Sequence, residues 1–222
     1  MLTRKLISPA VLMCMTLGWS GQPTYGASKE APAKMIPLAK YLQIAGKKLD
    51  CHFTIEYAEK GAGGSPIWQA SVAPEVPASA AKLVEKLKQS VPQARFVKGI
   101  GNGQIIHIID ARLMDKSGYV LGNLGTVTYS GAVGGLPDAI RQQCGNNIYT
   151  QTVFPTGWAS TVDTSTPAVV HAVSRPIRDI LSDAVRDKDY SRVIWSSEIQ
   201  GVRPDGTYQV WVSYLGKQPS TD

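Results

Sequence analysis

The stretch CHFTIEY, Cys51–Tyr57, alternates strictly between apolar and polar side chains. Its apolar members share one face of an extended chain: Cys51, Phe53, Ile55 and Tyr57. Its polar members share the other face: His52, Thr54 and Glu56. This period of two predicts a half-buried β-strand, with the first face toward a core and the second toward solvent.

Helical patterns lie on both sides of this strand. PLAKYLQIAGKKL before it repeats apolar residues at helical spacing, at Leu38, Leu42, Ala45 and Leu49. After it come the Gly-rich loop 59–66 and a second strand, IWQASV. A second helix then begins near Pro77, a residue suited to the first turn of a helix, and its apolar face is Ala80, Leu83, Val84, Leu87 and Val91. The strands ARFVK and QIIHIID end this unit.

The segment GIGNGQIIHIID, 99–110, has three glycines that invite comparison with a phosphate-binding loop. Such a loop joins a strand to the N-terminus of a helix. Here an apolar run, Ile105–Ile109, follows and predicts a strand. Asn102-Gly103 is the pair preferred in tight hairpin turns, so we expect a β-hairpin. His107 shares a face with Ile105 and Ile109, which indicates a packed, hydrogen-bonded histidine.

The same order of elements returns about one hundred residues later. It runs through LPDAIRQQC, NIYTQTVF, PAVVHAV, RPIRDILSDAVRD, SRVIWSSEI and TYQVWVSYL, with one additional strand, GTVTYSG, in front. The helix in RPIRDILSDAVRD turns Ile177, Ile180, Leu181, Ala184 and Val185 inward. We therefore expect an α+β protein of two small modules, each with two helices packed on a short mixed sheet. The expected boundaries are 28–115 and 119–216, with a polar tail at 217–222.

The segments VPASAAKLVEKL and GQIIHIID of the first unit resemble the secretin and TonB N-terminal short domain. HAVSRPIRDILSDAV, YSRVIWSSEI and TYQVWVSYLG resemble a second, more divergent copy. The resemblance implies a periplasmic βαββα-type fold that binds other proteins in secretion or pilus channels and in TonB-linked outer-membrane receptors. Because only KQPSTD follows residue 216, we expect an accessory protein rather than the channel or receptor itself.

The first 27 residues have the pattern of a secretory signal peptide. Arg4 and Lys5 precede the uncharged apolar run Leu6–Trp19, and small residues surround Ala27. We expect export to the periplasm or medium, a mature start near Ser28, and no integral membrane segment after cleavage. Loss of Arg4 and Lys5 lowers the formal charge from +6 to about +4. No basic run interleaves with aromatics, so a nucleic-acid partner is not expected.

Two cysteines remain after cleavage, Cys51 and Cys144. In an oxidising compartment they could form a disulfide, or each could pack as a free thiol in a core. Cys144 falls near the end of a helix, whereas a reactive thiolate favours a helix N-terminus or a cationic neighbour. This position favours core packing over catalysis.

The other candidate catalytic residues lack suitable partners. His52, His107 and His171 show no metal-ligand spacing, and no nucleophile elbow is present. Asp179 and Asp183, beside Arg178, are expected on the solvated face of their helix. We therefore expect neither a metal nor a cofactor, and we interpret the chain as a non-enzymatic binding module. The alternative is a secreted hydrolase of unrecognised type that uses His171 or His107.

Three tryptophans are candidate partner-binding residues. Trp68 and Trp158 lie at loops, where each would be a lid on its own core or an anchor for a partner. Trp211 lies on the last strand. If that strand is an exposed edge, Trp211 would be an anchor; if the strand lies inside a sheet, Trp211 would pack on the neighbouring module. The expected partner is an envelope protein, and a homo-oligomer is left open.

Overall fold

The computed structural model describes residues 34–58, 67–100, 104–114, 119–152, 163–185, 191–202, 204, 206 and 208–216. The signal-peptide prediction lies outside these residues. The helices and strands of the described part are β1 Ile36–Pro37, α1 Leu38–Leu49, β2 His52–Ala58, β3 Ser71–Val72, α2 Ala80–Ser90, β4 Ala94–Lys98, β5 Ile105–Asp110, α3 Ala111–Met114, β6 Leu124–Ala132, α4 Leu136–Cys144, β7 Ile148–Thr150, β8 Pro167–Pro176, α5 Ile177–Asp183, β9 Val193–Val202 and β10 Tyr208–Tyr214. None of the described helices is long and apolar enough to cross a bilayer.

Most of these strands belong to one mixed sheet. In the described part of the chain its order is β4-β5-β2-β9-β10-β7. β2 pairs in parallel with both β5 and β9, and β10 lies between β9 and β7. β2 is therefore a central strand. The remaining strands form two small antiparallel pairs, β1 with β3 and β6 with β8.

The α+β class is confirmed, but the arrangement as two βαββα modules is not. The pairing of β2 with β9 joins the two halves of the sequence, with Thr54 opposite Trp195 and Glu56 opposite Ser197. Ala33–Asp222 forms a single compact unit by its internal contacts. The repeated order of elements was visible in the sequence, whereas the choice of strand partners depends on contacts between residues far apart in the chain.

The two halves instead cover opposite faces of the shared sheet. On one face, α1 and α2 bury Leu42 and Leu87 against Phe53 and Ile108. On the other face, α4 and α5 contribute Ile140 and Ile180 to a second cluster that contains Trp195, Val210 and Val212. A sheet covered on both faces has strands buried on both faces.

Local signals explain where the helices begin and end. The Ser79 hydroxyl accepts a hydrogen bond from the Lys82 N–H at 3.3 Å and caps α2. α4 has a proline in its first turn and is capped at its C-terminus by Gly145, whose φ of 70° suits a residue without Cβ. β4 and β5 form the expected antiparallel hairpin, closed by a bond from the Gly99 N–H to the Ile105 carbonyl at 2.9 Å. The turn residues Asn102 and Gly103 lie outside the described residues.

β6 and β8 form a separate two-stranded ribbon. Its inner face buries Val127, Ala168, Val170 and Ala172 in the cluster that α4 and α5 share with the sheet. Gly125 lies where a Cβ would approach the Cys144 sulfur to 2.9 Å, which fits a residue without a side chain at this contact. The ribbon is thus anchored along one face, and its other face points away from the core.

Candidate functional site

A buried polar cluster lies on the α5 side of the central sheet. We define it as Thr54, Glu56, His107, Arg178 and Asp179, none of which is more than 8 % exposed. β2 and β5 supply its first three residues side by side, since Thr54 pairs with His107 in the parallel ladder. The start of α5 supplies the other two. Two halves of the chain therefore meet in this cluster.

His107 is hydrogen-bonded at both ring nitrogens. Its Nδ1 lies 2.8 Å from the Thr54 hydroxyl and its Nε2 lies 3.1 Å from Asp179 Oδ1. Because a carboxylate only accepts, we assign the proton to Nε2, and Nδ1 then accepts from Thr54. Burial lowers the pKa of His107, although Asp179 opposes that shift. The packed, hydrogen-bonded histidine that the sequence predicted is confirmed.

Asp179 is held by groups from several elements. Besides His107, the Ile100 N–H donates to Asp179 Oδ1 at 3.1 Å. Burial alone would raise the pKa of Asp179, but these hydrogen bonds outweigh it and hold the pKa below its ordinary value. Arg175 Nη2 donates to the Ile100 carbonyl at 2.7 Å. Two side chains from the second half thus fix the backbone of Ile100 where the β4–β5 hairpin turns.

Glu56 and Arg178 form a buried ion pair. Arg178 Nε lies 2.9 Å from Glu56 Oε1, and its Nη2 lies 3.2 Å from Oε2. Burial raises the pKa of Glu56 to about 7, even though the Arg178 guanidinium favours the ionised form. The Arg178 guanidinium also lies 5.8 Å from the centre of the Tyr119 ring. This paired arrangement satisfies both groups where water is excluded.

The prediction that Asp179 and Asp183 lie on a solvated face is wrong. Asp179 and Arg178 are buried, and Asp183 is partly buried in an ion pair with Arg175. The helix α5 is covered on more than one side, so its polar residues meet other polar residues rather than water. The sequence correctly indicated the apolar face of α5 that packs inward. Nothing in it indicated that the polar side of this helix is also covered by protein.

Thr54, His107 and Asp179 have the order of a nucleophile, a base and a carboxylate. Thr54 and His107 are fully buried, so a substrate atom cannot reach the hydroxyl in this arrangement. A groove of about 420 Å³ lies elsewhere, between Val84 of α2 and Phe96 and Ile106 of the hairpin. His171, the other histidine considered for catalysis, is exposed and lies 3.1 Å from the Thr128 hydroxyl. In the described residues no group of three or more metal-ligating side chains is assembled.

The outer face of the β6–β8 ribbon is the second candidate site. Leu124, Val169 and Val173 are 64 %, 80 % and 63 % exposed, values that are high for large apolar side chains. Val169 and Val173 flank the exposed His171 on β8. The sequence PAVVHAV could have indicated this apolar face. Valine occupies positions on both faces of the strand, so burial of one face leaves valines exposed on the other.

Side chains of α4 bind backbone groups on the β6 edge of this ribbon. The Thr128 N–H donates to Gln143 Oε1, and Gln143 Nε2 donates to the Thr128 carbonyl, both at 3.0 Å. The Cys144 thiol lies 3.7 Å from the Thr126 carbonyl. These side chains take the places that a neighbouring strand would occupy. They also show that Thr126 and Thr128 turn their backbone groups away from β8.

The opposite edge, which we call the β8 edge, consists of Val169, His171 and Val173. Thr128 lies opposite His171 in the ladder, so His171 also turns its N–H and carbonyl away from the ribbon, as do the alternate residues. Among the described residues no other strand pairs with β8, and no backbone bond joins these three to a neighbouring element. No Lys, Arg, Asp or Glu interrupts residues 168–173. Such an edge is ready to accept a strand.

The three predicted tryptophans are placed differently. Trp211 is partly buried and stacks on Tyr149 of β7, with ring centres 5.1 Å apart. Of the two alternatives for β10, the structure shows the strand inside the sheet, because β7 pairs in parallel with residues 210–212. Trp211 packs on Tyr149 of the same half of the chain rather than on a neighbouring module. Trp68 lies in the 3₁₀ turn Ile67–Gln69, and Trp158 lies outside the described residues. Their role in partner binding stays a prediction.

Cys51 and Cys144 are both free thiols. Cys51 is buried in the cluster beneath α1 and α2, where burial raises the pKa of its thiol to about 11. Cys144 packs against the cluster on the opposite face of the sheet. The disulfide considered from the sequence is therefore not formed, and packing accounts for both residues.

The chain was compared with family models, with curated proteins and with solved structures, and none of them matches it.

Proposed function

We propose that this chain is an exported, non-enzymatic protein-binding module that accepts an extended strand of its partner along the β8 edge. The observation that carries the proposal is the contrast between the two edges of one ribbon. Gln143 and Cys144 bind outward groups of the β6 edge, whereas the backbone groups of Val169, His171 and Val173 bond to no other element in the part of the chain that the structure describes. A strand added there gains main-chain hydrogen bonds, and its side chains gain contact with two exposed valines.

The setting of this proposal comes from the sequence. The signal-peptide pattern and the resemblance to the secretin and TonB N-terminal short domain favour an envelope partner. An accessory role in a secretion, pilus or TonB-linked transport system follows from that setting. Strand addition is a mode of binding that such a small α+β protein can use without any catalytic residue.

The test removes one outward N–H from the β8 edge. His171→Pro deletes the His171 N–H, which makes no bond within the ribbon, and proline is tolerated where that group faces solvent. His171→Gln is the matched control, because it keeps the backbone N–H and changes the same side chain. Tagged chains are produced in the native cell, and captured envelope proteins are compared by quantitative mass spectrometry, with circular dichroism to confirm folding.

We expect the original chain and His171→Gln to capture the same proteins, and His171→Pro to lose at least about nine tenths of them, since proline cannot donate at the edge. Equal capture by a folded His171→Pro chain would overturn the proposal. Capture of nothing by the original chain would do the same.

A further inference from the structure

The β8 edge is self-complementary, and we infer that its occupant is a second copy of this chain, so that two β8 strands pair antiparallel across a two-fold axis at His171. The inference rests on the proposed function, because it names the partner for the same edge: the exported protein that a tagged chain captures there is an untagged copy of the chain itself. Its starting point is the outward sequence of β8, Val169, His171 and Val173, which is the same when read in either direction.

The register follows from the ends of the open edge. Pro167 has no N–H to donate, and Ser174 leaves the regular strand with a φ of 50° and donates its N–H to Thr126 Oγ1. With the axis at His171, Val169 of one copy pairs with Val173 of the other. All three outward residues of each copy then exchange backbone hydrogen bonds with the facing strand. An axis at Val170 would leave Val173 opposite Pro167 and lose bonds.

The charges of this segment permit the contact. The chain carries a formal charge of +6, which disfavours contact between copies in general. Residues 168–173 carry no Lys, Arg, Asp or Glu, so like charges do not meet along the paired strands. Arg175, just beyond, is engaged by Asp183 and by the Ile100 carbonyl. The facing pairs are two valine–valine contacts, which favour cross-strand packing, and one contact between the two His171 side chains on the axis.

The α4 side chains bound along the β6 edge disfavour the addition of a third copy. Pairing of the two β8 strands makes a four-stranded sheet with β6 at both ends. Gln143 and Cys144 already occupy the outward groups of Thr128 and Thr126 there. A third strand would have to displace Gln143 and Cys144 from these groups, so we expect the contact to close as a dimer rather than extend into a fibre.

The test places single cysteines on β8 in the full chain carrying Cys14→Ser and Cys144→Ser; Cys51 stays, because it is fully buried. At a two-fold axis, His171→Cys would lie about 5.5 Å from its own copy, within disulfide range. Val169→Cys would lie roughly 14 Å from its own copy but opposite position 173 of the other chain. Mild oxidation followed by non-reducing gels measures the rate of cross-linking, and sedimentation of the original chain measures its mass.

We expect His171→Cys to cross-link roughly tenfold faster than Val169→Cys or Val173→Cys alone, and a mixture of the last two to match it, because only these pairings bring the sulfurs within bonding range. Slow cross-linking of every sample, with a monomer in sedimentation, would overturn the dimer. If His171→Pro still loses envelope capture in that case, the strand-accepting function stands and only its occupant is wrong. Cross-linking of Val169→Cys with itself would also overturn the stated register.

Discussion

β2 and β8 depart in opposite ways from the rule that apolar side chains are buried and polar ones exposed. On β2 the polar residues Thr54 and Glu56 are fully buried. On β8 the apolar residues Val169 and Val173 are 80 % and 63 % exposed. A reading of alternation as apolar inside and polar outside is wrong for one face of each strand.

The difference lies in what surrounds the strands. β2 has a neighbour on each side and helices over both faces. Among the residues that the structure describes, β8 has one neighbouring strand and is covered on one face. Alternation shows which side chains share a face, but it does not show whether that face meets solvent. Buried polar groups then require partners, and exposed apolar groups require none for folding. The predictions that follow test this difference.

The largest effect is expected where the partner of a buried charge is removed. Arg178→Met leaves Glu56 without its guanidinium, and we expect the free energy of unfolding at pH 7 to fall by about 3–5 kcal/mol. Guanidinium titration measures this loss. The matched control, Glu56→Met with Arg178→Met, removes both charges and should recover most of the stability. A single variant that loses under about 1 kcal/mol would show that the pair is hydrated.

Much of the fold could be predicted from local pattern. α1, α2, the β4–β5 hairpin and the inward face of α5 depend on neighbouring residues, and their spacing indicated them correctly. The parallel pairing of Thr54 with Trp195 depends on residues far apart in sequence, and no local signal selects it. That one pairing turns two expected modules into a shared sheet.

The pairing of β2 with β9, which no local signal predicts, also explains why some predictions about the candidate sites are wrong. The exception is His107, whose packing is predicted correctly because its neighbours on the same strand face, Ile105 and Ile109, are apolar. Arg178 and Asp179 were expected in solvent because only one cover for α5 was apparent. The last strand was considered as an edge because the sequence does not reveal that β7 returns beside it. The sequence around a residue shows which residues are adjacent to it in the chain. Its burial depends on which residues are adjacent to it in the folded structure.

A smaller loss is expected at the hydrogen-bonded histidine. His107→Gln should lower the free energy of unfolding by about 1–3 kcal/mol, because glutamine cannot reach both Thr54 and Asp179 in the same geometry. His171→Gln makes the same substitution on an exposed strand face and should change the free energy of unfolding by less than about 0.5 kcal/mol. Urea titrations of both variants measure the contrast. Equal losses would mean that the exposed histidine carries an unrecognised contact.

The dependence of stability on pH should be modest, since two buried groups oppose each other. The folded pKa of Glu56, about 7, exceeds its ordinary 4.5, so its contribution to stability rises as pH falls through this window. The pKa of His107 is lowered from 6.5, so its contribution is present above that pH and is lost on acidification. The pKa of Asp179 is lowered from 3.8, so its contribution is present above that pH and is lost only on further acidification.

Single substitutions should separate these opposing contributions. With Glu56→Gln, stability should fall more steeply than in the original chain as pH drops from 7 to 5. With His107→Gln, it should rise over the same range. Denaturant titrations at pH 5, 6 and 7 measure both slopes. Identical slopes in the two variants would contradict the assignment of either group.

The smallest effect is expected on the outer face of β8. Val169→Thr keeps the shape and strand preference of valine, and because Val169 is exposed it should change the free energy of unfolding by less than about 0.5 kcal/mol. Val170→Thr makes the same change one residue along, where the hydroxyl would be buried without a partner, and should cost about 1–3 kcal/mol. Both are measured at low protein concentration, so that association does not contribute. If Val169→Thr costs as much as Val170→Thr, the outer face is covered and the β8 edge is not open. If it costs little, folding does not require valine there, and the reason for an apolar residue at this position lies in what the edge binds.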